Sequence, residues 1–304
     1  MFLCCKQYIM PAFYKQTESF IFLILFCNCS ILAQNTVNYS PAFFGPNADP
    51  VAEFTGARIP KYTTFEVSGD YFYGYGDRTV NPEAKVEIPL LSQRISLKVW
   101  IPLWERYSVT QALYDERQME GNLTGTTTGG DFYVQTRILA LAEKKYLPAV
   151  VINATIKTAS GEQFPERRYF NTPGYYFDAE IAKSFSLNNK IVSNIRVGTD
   201  WGFLCWETTN SRQDDAFMYG GTIILSNKAL ELDNTIAGYD GRLKDGDMPF
   251  VYSAKLIGNR KNLFAFIQYK YGIRDWHYQE LQLGVGVKIK ALTPKFGSAR
   301  AVTM

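Results

Sequence analysis

Glu66 and Asp70, Arg94 and Lys98, Asp178 and Glu180, and Arg196 and Asp200 form pairs separated by two or four residues, each within a stretch that alternates polar with apolar residues. In an extended chain, side chains an even number apart point to the same face. Each pair therefore lies on the polar face of a strand whose other face is apolar. Arg137, Lys255, Glu280 and Lys288 hold the same phase in other segments. Both signs of charge are present, and two kinds of chemistry follow. Opposite charges facing a water-filled pore select among passing ions. The same charges can instead pair across strands and close the interior. The sequence leaves both open.

Catalysis has little to stand on. His277 is the only histidine. A Ser–His or Asp–His hydrolytic pair would need it as general base. It lies between Trp276 and Tyr278, and the adjacent Arg274 and Asp275 offer no nucleophile. An aromatic-girdle position is the simpler reading, and no enzymatic activity is expected. Asp240, Asp245 and Asp247 loosely evoke a calcium loop, but their spacing is wrong and Lys244 sits among them. Gly74-Tyr75-Gly76 lacks the third glycine of a dinucleotide fingerprint and reads as a turn. Thr124 to Gly130 reads as the tip of a long loop. One histidine and one late cysteine, Cys205, make no metal cluster and no disulfide. No cofactor is expected.

The elements that must position these residues recur with a rhythm. From Thr63 to Lys290 the chain divides into twelve alternating segments of roughly ten residues. The last shows it best: Leu281, Leu283, Val285, Val287 and Ile289 oppose Glu280, Gln282, Gly284, Gly286 and Lys288. Short turns are expected near Leu91–Gln93, Lys144–Lys145, Asn188–Asn189, Ser226–Asn227 and Asn259–Arg260. Longer polar loops are expected at 76–83, 105–130, 158–173, 204–216, 240–248 and 273–276. A soluble sandwich also alternates within its strands, but it has no reason to alternate its loop lengths.

Composition agrees. The chain has 304 residues, a formal net charge of +3 and 15% aromatics. So small a charge makes no case for nucleic acid, and the aromatics suit interfacial belts. A mean hydropathy of −0.15 excludes a multi-span helical membrane protein but not a barrel with a polar inward face. Lys6 and Lys15 precede an apolar run from Phe20 to Cys27, and Ser30 to Ala33 follow, as in a secretory signal cleaved after Ala33. Cys4, Cys5, Cys27 and Cys29 all fall in that region.

With a signal, paired strands and this loop order, the chain resembles bacterial outer-membrane β-barrel proteins over Thr63 to Lys290. The stretch YSPAFFGPNADPVAEF resembles the N-termini of barrels of this class. The resemblance implies an all-β, antiparallel up-and-down transmembrane barrel in the bacterial outer membrane, with the lipid bilayer as its partner. The chain departs from the class in running on past the last strand, from Ala291 to Met304.

The expected organisation is a signal peptide (1–33), an arm or plug (34–62), the barrel (63–290) and a periplasmic tail (291–304). The arm carries Pro41, Pro46, Pro50 and Pro60, which bar a regular element, yet Phe43, Phe44, Val51, Phe54 and Ile59 make it too apolar for a linker. The expected function is passive passage of small solutes through a narrow polar lumen. The alternatives are a non-conducting barrel with a structural or assembly role, and, disfavoured by the missing pair, an outer-membrane hydrolase.

Overall fold

The computed structural model describes residues 40–117, 119, 121–127, 129–161, 173–208 and 212–293. The expected signal peptide lies outside the described residues, as does the tail beyond Thr293.

The alternating segments form β1 (Thr63–Gly74), β2 (Asp77–Leu90), β3 (Ile95–Pro102), β6 (Tyr133–Leu141), β7 (Ala149–Lys157), β8 (Gly174–Ser186), β9 (Asn194–Thr208), β10 (Arg212–Ser226), β11 (Leu230–Gly241), β12 (Phe250–Arg260), β13 (Leu263–Arg274) and β14 (Gln279–Ile289). Between β3 and β6 lie β4 (Glu105–Val109), a short helix α1 (Gln111–Glu116) and β5 (Thr124–Thr127). Each barrel strand pairs antiparallel with its neighbours, and β1 pairs with both β2 and β14. The result is the expected closed ring of 12 strands. Closure removes the unpaired edges that lipid cannot hydrate.

The ring is polar inside and apolar outside. On β14, Leu283 and Val285 are 56% and 63% exposed, whereas Glu280 and Gln282 are 2% and 3% exposed. Phe177 and Ile181 on β8, and Trp201 and Phe203 on β9, likewise face out. A water-soluble fold would reverse this order; a lipid solvent favours it. The β1–β14 ladder runs from Thr63↔Ile289 to Tyr73↔Gln279. That is about the 9–11 residues a tilted strand needs to cross the hydrocarbon.

One rim carries Thr63, Ile289 and the connections at 91–94, 142–148, 187–193, 227–229 and 261–262. The other carries 75–76, 103–132, 158–173, 209–211, 242–249 and 275–278. The two longest connections are on the second rim, which is therefore the external one. Loop lengths alternate less cleanly than expected. Residues 76–83 are mostly strand, because β1 turns into β2 across Tyr75 and Gly76, both left-handed at φ 52° and 84°. Pro82 gave the misleading loop signal. It sits where the β2 ladder passes from β3, whose last pair is Glu83↔Pro102, to β4, whose first is Val80↔Arg106. A missing backbone donor costs least at such a gap. The described residues of the 105–130 segment carry structure too. Thr124 to Thr127, expected at a loop tip, pair with β4, and Tyr107, Val109, Leu113 and Met119 form a small core above the rim. The 204–216 loop shrinks because β9 and β10 run further than the pattern suggested, and the 273–276 loop moves to 275–278 because β13 does.

Candidate functional site

The interior holds two things: ionisable side chains of the strands and the arm. The arm begins at the external rim with a 3-10 turn, Pro41–Phe43. There Ser40 Oγ donates to the Asp245 carbonyl at 2.9 Å and Ala42 N to that of Gly246 at 3.3 Å. Further in, Tyr278 donates its hydroxyl to Phe44 O at 2.8 Å, and Asn47 donates to Glu105 at 2.7 Å. At mid-depth the Phe54 ring lies against Gly220 of β10, where a Cβ would come within 1.6 Å of it. Below that, Gly56 and Ala57 take left-handed φ of 66° and 54°. This kink turns the amides of Thr55 and Ala57 onto the Glu180 carboxylate at 2.9 and 2.7 Å. Backbone N–H groups so arranged form a nest for an anion. Arg58 then forks onto Glu231 at 2.7 and 2.9 Å. The chain reaches the periplasmic rim at Thr63. The arm therefore threads the lumen from the external rim to the periplasmic one.

The structure places the expected lumen residues as follows. Arg137, 1% exposed, reaches Glu87 at 2.8 Å and Glu180 at 3.4 Å. Arg196 donates to Gly56 O at 2.6 Å and to Ser184 Oγ at 2.6 Å, and pairs with Glu143. Asp178 and Asp200 are buried beside this group, Asp178 accepting from Asn153. Across the lumen, Glu66 lies 3.5 Å from Lys85 and 3.9 Å from Lys255. Glu280 lies 3.2 Å from Lys270, and Asp70 accepts from Asn81 at 2.7 Å. Lys98 is buried with its ammonium 4.9 Å from the centre of the Trp100 ring. Two of the expected residues stand apart. Arg94 closes the 3-10 turn Leu91–Gln93 at the periplasmic rim and is exposed, so it is not a lumen-wall group. Lys288 reaches Asn259 at 2.6 Å near the 261–262 turn. An alternating pattern extends one residue into a turn without notice, which is why Arg94 was misplaced.

Sequence reasoning missed Glu53, Arg58 and Gly220. Glu53 lies 3.5 Å from Lys85 and 3.1 Å from Lys270. The only signal was the arm's apolar content, which told of packing but not of ion pairs. The arm and the walls of β1, β2, β3, β6, β8 and β11 to β14 border a cavity of about 310 Å³. Its walls include Lys85, Lys98, Lys255 and Lys270.

The other candidates resolve into structure. His277 is exposed at the external rim with its ring stacked on Tyr75, centroids 5.0 Å apart. Asp247 is buried and accepts the backbone N–H groups of Leu243 and Lys244 at 2.7 and 3.1 Å, shaping the loop.

No family model and no curated protein matches the sequence. Solved structures do match in shape. An outer membrane channel from Pseudomonas putida F1 superposes with a TM-score of 0.55 at 11% identity, over 79% of this chain and 100% of that one. The transport unit of the autotransporter AIDA-I from Escherichia coli gives 0.48 at 8% identity, over 83% and 99%. The NanC porin gives 0.47 at 11%, over 74% and 100%. The fold is that of bacterial outer-membrane β-barrels.

Proposed function

We propose that this barrel passes small solutes passively across the outer membrane, beside an arm that narrows its lumen. The observation that carries the reading is the cavity of about 310 Å³ between the arm and the charged wall. A closed barrel whose cavity is bordered by ionic side chains has the composition of a conduit, even though apolar clusters pack the arm against the wall elsewhere. The space left is that of a small-molecule pocket. Arm residues 40–62 act as the constriction, and Arg137, Glu180 and Arg196 anchor it to one wall so that the passage runs along the other.

A second reading is supported by the same anchors. Hydrogen bonds along the arm from Ser40 to Arg58 fit a barrel built to stay shut, with a structural role in the envelope. Single-channel recording decides between the two. Refolded protein lacking residues 38–58 should conduct several-fold more than the intact chain. If the deleted barrel folds and conducts nothing, the wall side chains fill the interior and the structural role stands.

A further inference from the structure

Four lysines of the wall converge on the cavity: Lys85 on β2, Lys98 on β3, Lys255 on β12 and Lys270 on β13. Glu53 of the arm projects among them. Its carboxylate lies 3.5 Å from Lys85 and 3.1 Å from Lys270. The side chain is still 33% exposed, towards the cavity.

Not every one of these lysines has a wall carboxylate of its own. The wall carboxylates within 4.0 Å of these lysines are Glu66, Glu83 and Glu280. Glu83 lies 3.0 Å from Lys85. Asp70, Glu87 and Asp233 also border the cavity, but Asp70 is held by Ser68 and Asn81 at 3.2 and 2.7 Å, Glu87 by Arg137 at 2.8 Å, and Asp233 lies 3.7 Å from Arg58. Among the described residues Lys98 has no carboxylate within 4.0 Å, although it is only 7% exposed. A buried ammonium is costly unless an anion meets it. Three wall carboxylates thus pair with these lysines, Lys98 is left without one, and Glu53 of the arm pairs with Lys85 and Lys270.

We propose that this lysine cluster is a binding site for a small organic monocarboxylate, and that Glu53 occupies it as an internal substitute which the solute displaces. The inference rests on the solute-passage reading and names the class of solute. A monocarboxylate offers the same group as Glu53 and balances the same charge. Trp100, under Lys98 and stacked on Tyr133, gives the cavity an apolar border for the rest of the molecule. Because Glu53 is tethered, it competes at high effective concentration, and a free ligand binds the intact protein weakly.

Gluconate, with uncharged sorbitol as control, tests this by calorimetry on the full chain in detergent micelles. E53Q should bind gluconate at least tenfold more tightly than the wild type, E53Q/K98M should fall back to the wild-type level, and sorbitol should bind neither. Equal affinities for wild type and E53Q, or sorbitol bound as well as gluconate, would overturn the site. Should E53Q fail to fold, the wild type carries the test. Amide hydrogen exchange over residues 53–57 should quicken in gluconate and not in sorbitol, and unchanged exchange overturns the proposal. Conductance separates the two readings. A protein that binds gluconate without conducting keeps the site and loses the passage; one that conducts without binding gluconate does the reverse.

Discussion

Gly220 and Phe54 hold the arm by shape rather than by charge. The Phe54 ring uses the space that any Cβ on residue 220 would fill. Gly220→Ala should push the ring out and cost about 1–3 kcal/mol, the usual penalty for overpacking. Phe54→Ala in the same background should recover part of that loss. Urea titration of the two single variants and the double variant would read the coupling, and strictly additive losses would mean the ring does not depend on that gap. Asp49 makes a separate prediction. Burial pushes its carboxyl up to about 8 from 3.8, against the pull of Lys157 and with the push of Asp214 and Asp131. The folded state then binds a proton that the unfolded chain has lost, so stability falls as pH rises from about 4 to about 8. Asp49→Asn should flatten that slope, and an unchanged slope would assign the pH dependence elsewhere.

At the scale of the strand, phase decides what a substitution costs. Val285 faces lipid and Gln282 borders the cavity on the same strand, β14. Val285→Arg should cost about 2–4 kcal/mol near the bilayer midplane. Gln282→Arg adds a cation within reach of Asp70, opposite it on β1, and should cost much less. Refolding into lipid vesicles measures both, and equal losses would contradict the outward face assigned to Val285. The charged strand residues gain a second role from the arm. Glu180 pairs with Arg137 and Arg196 with Glu143, yet each also takes a backbone group of residues 55–57. Their spacing on β8 and β9 was legible in the sequence. Their partner was not, because nothing in the arm repeats or alternates.

For the whole molecule, the path of the arm fixes a topology. Ser40 hydrogen-bonds to the 242–249 loop at the external rim, whereas Thr63 begins β1 at the periplasmic one. The arm therefore enters the barrel from the external side, although the first barrel strand starts in the periplasm. Phe43→Cys in a Cys205→Ser background should react with a membrane-impermeant maleimide on intact cells, since Phe43 lies in the turn at the external rim and is partly exposed. Lys261→Cys, in the 261–262 turn, should react only after permeabilisation. The opposite pattern would invert the barrel or remove the arm from its lumen. Mass spectrometry of the labelled protein should also find Gln34 as its first residue, as expected from cleavage after Ala33, and a lipidated Cys27 or Cys29 would refute that.

The amino-acid sequence by itself determined the strands, their number, which face of each meets lipid, and the inward phase of residues such as Lys98, Asp178 and Glu280. These follow from a period of two, which is local and survives in a single segment. It also contained the arm as something neither strand nor linker. Only the tertiary structure decided that the arm runs through the barrel, that Gly220 makes room for Phe54, and that Glu53 sits among four lysines from four strands. Those lysines stand at positions 85, 98, 255 and 270. No local pattern joins residues so far apart; closure of the ring between β1 and β14 does, by making β13 and β2 near neighbours around one lumen.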